Sequence, residues 1–178
     1  NAMRTLFSRY VPMLYSLAAY FSIFIACQSE NVLAIFTDEK FSEAYLVLVV
    51  MAIYPIHQTY GQLSGSIFYA TGQTKLYRNI GLISIFIGFL LTLLLLYIFE
   101  LNALGLALKM VISQVIGVNI LLFYNAKLLG LKMNEYIWHQ IYSIALFVVA
   151  AFLARAWVDV SSPLFSFFIS GTIYTLMV

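Results

Sequence analysis

Long runs of hydrophobic residues alternate with short polar links along this chain. A helix needs roughly 20 apolar residues to cross about 30 Å of hydrocarbon, and six segments reach or approach that length. These segments are residues 10–27, 44–70, 77–99, 101–126, 136–158 and 162–178. The links contain residues that end helices, among them Gly72, Gly130 and Pro163. The pattern predicts an all-α fold, a polytopic membrane bundle of about six transmembrane helices.

The composition excludes an ordinary water-soluble enzyme. Of 178 residues, 63% are hydrophobic and only 9% are charged, whereas soluble domains carry about a quarter of charged residues. A nucleic-acid partner is not expected, because the net charge is only +2 and the basic residues are scattered. Cys27, the single cysteine, is interpreted as a packing residue or, alternatively, as the cysteine of a lipoprotein-like signal peptide. Asn1 and Ala2 precede Met3 and are interpreted as an expression scar.

The charged residues of the links predict how the helices are oriented. Basic residues are retained on the cytoplasmic side of a membrane. If the segments alternate in direction, one side receives six basic residues and one acid, namely Arg4, Arg9, Lys75, Arg78, Lys127, Lys132 and Glu135. The other side receives two basic residues and six acids, namely Lys40, Arg155, Glu30, Asp38, Glu39, Glu43, Glu100 and Asp159. We therefore expect six crossings with both termini in the cytoplasm.

The first link contains an apolar stub that is too short to cross a membrane. Residues 32–36 are apolar, and an acidic cluster follows them. We expect the stub to extend the first helix or to form a short helix at the membrane surface, with Phe36 and Phe41 as anchors.

Lys109 is the clearest candidate for a site inside the bundle. It lies eight residues beyond Leu101, which places it about 12 Å inside the predicted helix. Gly105, Ser113 and Gly117 share its helical face and form a small, partly polar stripe. Ionisable groups in hydrocarbon usually face a bundle interior or a water-filled cavity, so Lys109 and Ser113 are candidate ligands for an anion. The alternative is a lysine that extends its amine to the membrane surface.

A second polar face lies on the segment 44–70. When successive residues are placed 100° apart, about 100° of arc contains Tyr54, Gln58, Gly61, Gln62, Gly65 and Tyr69. Amide and phenol groups suit the many hydroxyls of a sugar, so Tyr54, Gln58, Gln62 and Tyr69 are candidate substrate-binding residues. The alternative is hydrogen bonding between helices that the glycines bring close together. His57, at the edge of this face, is interpreted as a packing residue or a proton-responsive member of the cavity.

Catalytic motifs are missing from the sequence. It contains no HExxH zinc motif, no GxSxG elbow, no P-loop and no paired carboxylates within a predicted span. We therefore expect neither an enzyme activity nor a cofactor or metal. Gln114 and Asn119, in the fourth predicted span, are expected to line a cavity or to link helices.

Four sequence elements follow one another in an order typical of one transporter family. They are the stub with its acidic end at 32–41, LSGSIFYATGQTK at 63–75, FELNALGLA at 99–107, and VISQVIG at 111–117 followed by YNAKLLGLK at 124–132. Together they resemble the carboxy-terminal half of polysaccharide flippases. These proteins are the lipid-linked oligosaccharide exporters of the multidrug/oligosaccharidyl-lipid/polysaccharide exporter superfamily.

The resemblance implies that residues 3–178 are the second of two six-helix bundles in a longer transporter of the cytoplasmic (inner) membrane. The two bundles of that family face a central cavity that opens alternately to each leaflet. The implied partners are the lipid-linked glycan, membrane lipid and either the amino-terminal half or a second copy of this chain. Basic cavity residues of the family engage the pyrophosphate and acidic sugars of an undecaprenyl-linked glycan. That role would fall to Lys109, although a small residue is expected at this place in many members.

Two other functions are compatible with the sequence. A multidrug-type exporter has the same architecture, but a cation-coupled member is expected to use buried carboxylates, which these spans lack. A non-transporting scaffold subunit for glycan assembly is the second alternative, and a native chain of this length would favour it.

Overall fold

The structure is a computed structural model that describes residues 2–178, apart from the side chains of Glu39 and Gln62. Its α-helices are α1 (Ala2–Cys27), α2 (Ser29–Phe36), α3 (Tyr45–Ala70), α4 (Thr74–Thr92), α5 (Asn102–Leu129), α6 (Met133–Ala156) and α7 (Pro163–Met177). A 3₁₀ turn at Glu39–Ala44 precedes α3, and a π-helical turn at Leu93–Ile98 continues α4. Every regular element of residues 2–178 is thus a helix, and the all-α prediction is confirmed.

Within the described part of the chain, five helical segments are long and apolar enough to cross a membrane, namely α1, α3, α4 with its π turn, α5 and α6. The shortest of them, α6, has 24 residues and a length of about 36 Å. Helix α7 has only 15 residues, about 22 Å, which is less than the thickness of the hydrocarbon. The structure thus has a helix at each of the six predicted segments, five of them long and the sixth, α7, shorter. Since helices keep all their backbone hydrogen bonds within the segment, such a chain suits a bilayer, and the protein is a helical membrane protein.

Helices α1 and α3 form the centre of the bundle. Helix α1 packs against α3 and α6, α3 packs against α5, and α4 and α7 lie against α5 and α6 respectively. Tyr15, Tyr60 and Leu122 are each 0% exposed between these helices. Phe86 of α4 and Phe152 of α6 are exposed on the outer faces, where lipid can solvate them. Across the bundle, the order of the helices is therefore α4, α5, α3, α1, α6 and α7.

A tight turn sends α5 back along α4. Glu100 and Asn102 have φ angles of 52° and 48°, in the left-handed region that L-residues rarely occupy. The amide of Leu101 donates a hydrogen bond to the Leu95 carbonyl at 3.1 Å. Beyond the turn, a Cβ built at Gly105 would lie 3.0 Å from that same carbonyl oxygen. A side chain at position 105 would crowd this carbonyl, so glycine favours the close approach of α5 to the end of α4.

The apolar stub forms a helix of its own, α2, which is one of the two expected outcomes. The Thr37 amide and hydroxyl both donate to the Leu33 carbonyl, at 2.8 and 2.7 Å, and end the helix.

Arg155, at the end of α6, connects α2 and the end of α1 to α6. Its Nη2 lies 2.5 Å from Glu30 Oε2, and its Nη1 donates to the Cys27 carbonyl at 2.6 Å.

Candidate functional site

An open groove of about 900 Å³ lies between α3, α4 and α5. Among the described residues, nine of those that line it are polar or charged: Tyr54, Gln58, Tyr77, Arg78, Ser84, Thr92, Lys109, Ser113 and Gln114. The groove therefore brings together four residues that the sequence predicts for a substrate site, namely Tyr54, Gln58, Lys109 and Ser113. The lining combines these polar groups with apolar side chains, and polar groups within membrane helices usually face a bundle interior or a water-filled cavity because they are costly in hydrocarbon.

Lys109 forms part of the α5 wall. A Cβ built at Gly88 of α4 would lie 3.5 Å from Lys109 Cε and 3.9 Å from its Nζ, so the lysine lies across the glycine. Ser113 donates its hydroxyl proton to the Lys109 carbonyl at 2.7 Å. No carboxylate of the described residues lies within ion-pair distance of the Lys109 amine. The structure therefore favours the interpretation that Lys109 lines a cavity over the alternative that it extends its amine to the membrane surface.

The small-residue stripe of α5 is also the surface on which α4 packs. Gly117 is buried, and a Cβ built on it would be 2.9 Å from Ser84 Oγ. Gly105 meets the Leu95 carbonyl at the other end of the contact. Gly105 and Gly117, at the two ends of the stripe, thus pack against α4 and its π turn. Lys109 and Ser113, between them, line the groove.

Tyr54, Gln58 and Gly61 form the α3 wall. Tyr54 and Gln58 are half-buried. A Cβ built at Gly61 would lie 3.2 Å from Val118 Cγ2 and 3.7 Å from Gln114 Nε2. The close approach of α3 and α5 at Gly61 therefore brings the Gln114 amide to the groove, one of the two roles expected of that residue.

Two predicted site residues, His57 and Tyr69, are not among those that line the groove. His57 is 6% exposed and packs edge-on against Tyr15 of α1, with ring centroids 5.6 Å apart. It points away because adjacent helical residues differ by 100°, and Gln58 takes the groove side. Tyr69 is 65% exposed near the end of α3, beside Tyr77. The side chain of Gln62 lies outside the described residues.

Sequence reasoning missed the contribution of α4. The sequence pattern counts Arg78 among the charges of the links and predicts no site residue in the leucine-rich segment 77–99. Yet Tyr77, Ser84 and Thr92 all line the groove, together with Gly81 and Gly88. These five residues are spaced by four, three, four and four positions, which is one face of a helix. That spacing was the available signal, but the surrounding leucines and phenylalanines concealed it.

Asn119 links two helices, which is the second of the two roles predicted for it. Its Oδ1 accepts a hydrogen bond from Gln140 Nε2 of α6 at 3.1 Å, and its Nδ2 donates to the Val115 carbonyl at 2.9 Å. Asn119 therefore links α5 to α6 and lies apart from the groove.

The groove is suited to an anionic, hydroxyl-rich ligand. Its described lining contains two cations, Lys109 and Arg78, and no carboxylate. Arg78 precedes Gly88 by ten residues, so its Cα lies about 15 Å along the axis of α4 from the glycine that Lys109 contacts. The lining also contains hydroxyl, phenol and amide groups. Such groups bind neutral oxygen atoms, whereas the cations provide charge-assisted hydrogen bonds.

Comparisons with family models, with curated proteins and with solved structures found no match to this chain.

Proposed function

We propose that this chain is one half of an exporter that moves lipid-linked oligosaccharides across the cytoplasmic membrane. The observation that carries the proposal is the polar groove between α3, α4 and α5, with Lys109 in its wall. The sequence resemblance to polysaccharide flippases supports the same function.

The lining of the groove favours a glycan with an anionic link to its lipid. Sugar hydroxyls match the amides and hydroxyls of Gln58, Ser84 and Gln114, and a pyrophosphate matches the amine of Lys109. Because the groove is open, the headgroup can occupy it while the lipid tail stays among the acyl chains. The step is transport without covalent chemistry, so the chain acts as a carrier and not as an enzyme.

A single bundle does not enclose a headgroup on all sides. We propose that a second bundle, either a preceding half of the same transporter or another copy of this chain, covers the groove. Rocking of the two bundles would then expose it to each leaflet in turn. The basic links, with Lys75 and Lys132 among them, are assigned to the cytoplasm together with both termini. A reporter enzyme fused beside Lys75 should be active only on the cytoplasmic side.

Ligand binding to the complete chain in lipid nanodiscs tests the proposal. The probe is an undecaprenyl-pyrophosphate-linked oligosaccharide, and undecaprenol serves as the comparison ligand without charge or sugar. A charge-assisted hydrogen bond contributes about 1.5–3 kcal/mol, so Lys109→Ala should weaken binding of the probe roughly tenfold or more. Binding of undecaprenol should not change.

Lys40→Ala is the matched control, because Lys40 is an exposed cation outside the groove. It should bind the probe as the unchanged protein does. Equal binding of the probe by the Lys109→Ala protein, at matched folding and insertion, would remove Lys109 from the site. Equal affinity for the probe and for undecaprenol would refute glycan recognition altogether.

A further inference from the structure

Both histidines of the chain meet at one buried tyrosine. The sequence contains two histidines, His57 on α3 and His139 on α6. Each of them packs edge-on against Tyr15 of α1, with ring centroids 5.6 Å and 6.0 Å away. Tyr60 of α3 stacks on the same ring at 4.8 Å. Tyr15 and Tyr60 are 0% exposed and His57 is 6% exposed, so this cluster lies inside the bundle.

Two serines complete the cluster on the side of His139. Ser16 Oγ lies 3.2 Å from His139 Nε2 and 3.3 Å from Ser143 Oγ, while Ser143 Oγ is 3.5 Å from the same imidazole nitrogen. One nitrogen of His139 therefore has hydroxyl partners from both α1 and α6. We call these six residues the histidine cluster: Tyr15, Ser16, His57, Tyr60, His139 and Ser143.

Four polar atoms of the histidine cluster are buried without a hydrogen-bond partner among the described residues. They are the hydroxyl oxygens of Tyr15 and Tyr60 and the Nδ1 atoms of His57 and His139. An imidazole nitrogen is a donor or an acceptor in every protonation state, and a phenol hydroxyl is both. Buried polar groups in folded proteins are nearly always satisfied, by protein or by ordered water.

We propose that the histidine cluster is a binding site for internal water that joins the two imidazoles across Tyr15. An internal water typically makes about three hydrogen bonds to groups that lack other partners. The cluster supplies four such groups within one set of touching rings from three helices. The ligand is water rather than an ion, because neither a carboxylate nor a lysine or arginine takes part in the hydrogen bonds or ring contacts of the cluster.

The site is separate from the groove. Helix α3 lies between them, with Tyr54 and Gln58 on the groove side and His57 and Tyr60 on the side of α1. Water on the second side would hydrate both faces of α3 within the bundle. The proposal goes beyond the transport function and does not depend on it, since its test requires no glycan.

Thermal unfolding of this chain distinguishes a hydrated from a dry cluster, because the change in Tm caused by Tyr15→Phe differs in sign between them. If water bridges the Tyr15 hydroxyl, Tyr15→Phe removes a hydrogen bond and leaves the water undersatisfied, so Tm should fall by about 2–4 °C or more. In a dry cluster the same substitution removes an unpaired buried hydroxyl, and Tm should stay the same or rise. Tyr142→Phe is the control, since Tyr142 lies on α6 and is 71% exposed; its Tm should not change.

Nuclear magnetic resonance of the unsubstituted protein tests the water directly, even if Tyr15→Phe does not fold. With ¹⁵N-histidine labelling in lipid nanodiscs, only two side chains carry the label, and His139→Gln assigns the spectrum. We expect rapid transfer of magnetisation from water to the ring nitrogens of both histidines. The proposal is overturned if either histidine receives no transfer from water, or if Tyr15→Phe folds with an unchanged or higher Tm.

Discussion

Lys109 of α5 lies across Gly88 of α4, where a Cβ would stand 3.5 Å from the lysine Cε. A methyl group at position 88 would be in van der Waals contact with the lysine stem, and a longer side chain there would compete with it for the same side of the groove. This contact explains how a cation is kept inside the bundle without an acidic partner among the described residues. The glycine leaves room for the amine within the groove, whose lining also contains hydroxyl and amide groups.

The two faces of α4 should differ in their access to water. Ser84 lines the groove, whereas Phe86 points outward and is 61% exposed on the apolar surface. In a Cys27→Ala background, Ser84→Cys should react with a hydrophilic, membrane-impermeant thiol reagent, and Phe86→Cys should not, because a thiolate does not form in hydrocarbon. Equal protection of both cysteines from both sides of the membrane would mean that the groove is dry.

A methyl group at Gly105 should destabilise the bundle. Its Cβ would lie 3.0 Å from the Leu95 carbonyl oxygen, which is backbone and does not move aside. Overpacking of this kind costs about 1–3 kcal/mol, so Gly105→Ala should lower Tm by several degrees, by about 2–4 °C for each kcal/mol. Gly81→Ala is the matched control, because no atom lies within 4 Å of a Cβ at that position. Similar melting of the two variants would contradict the close contact of α5 with the π turn.

The link between Asn119 and Gln140 should contribute measurably to the packing of α5 on α6. Gln140 is 8% exposed and donates to Asn119 at 3.1 Å, so Asn119→Leu leaves a buried amide unpaired. Hydrogen bonds between membrane helices contribute about 0.6–2 kcal/mol. In a double-mutant cycle on the free energy of unfolding, Gln140→Leu should cost less in the Asn119→Leu protein than alone. Additive effects would show that the two amides do not interact.

Arg155 should stabilise the contact between α2 and the end of α6 more than Glu30 does. Both side chains are partly exposed, and exposed ion pairs are worth no more than about 1 kcal/mol. Arg155 also donates to the Cys27 carbonyl at 2.6 Å, a contact that remains when Glu30 is removed. We therefore expect Arg155→Ala to lower Tm more than Glu30→Ala. The reverse order, measured at the same salt concentration, would refute the carbonyl contact.

The pattern of apolar runs was sufficient to predict the fold class and the five long helices. The reason is physical: a backbone in hydrocarbon satisfies its hydrogen bonds as a helix, so length and hydropathy determine the element almost alone. The sixth predicted segment is also a helix, α7, but with 15 residues it is shorter than these five. The sequence also predicted that Lys109, Ser113, Tyr54 and Gln58 face inward, since polar groups avoid lipid.

Which polar residues meet was decided only by the tertiary structure. Periodicity places residues on a face of one helix, but it does not say which neighbour that face meets. His57 and Gln58 are adjacent in sequence, yet they serve different surfaces, because α1 packs on one side of α3 and α5 on the other. His57 and His139 both contact Tyr15 only because α1 packs between α3 and α6. The periodicity within a single helix does not predict such a contact.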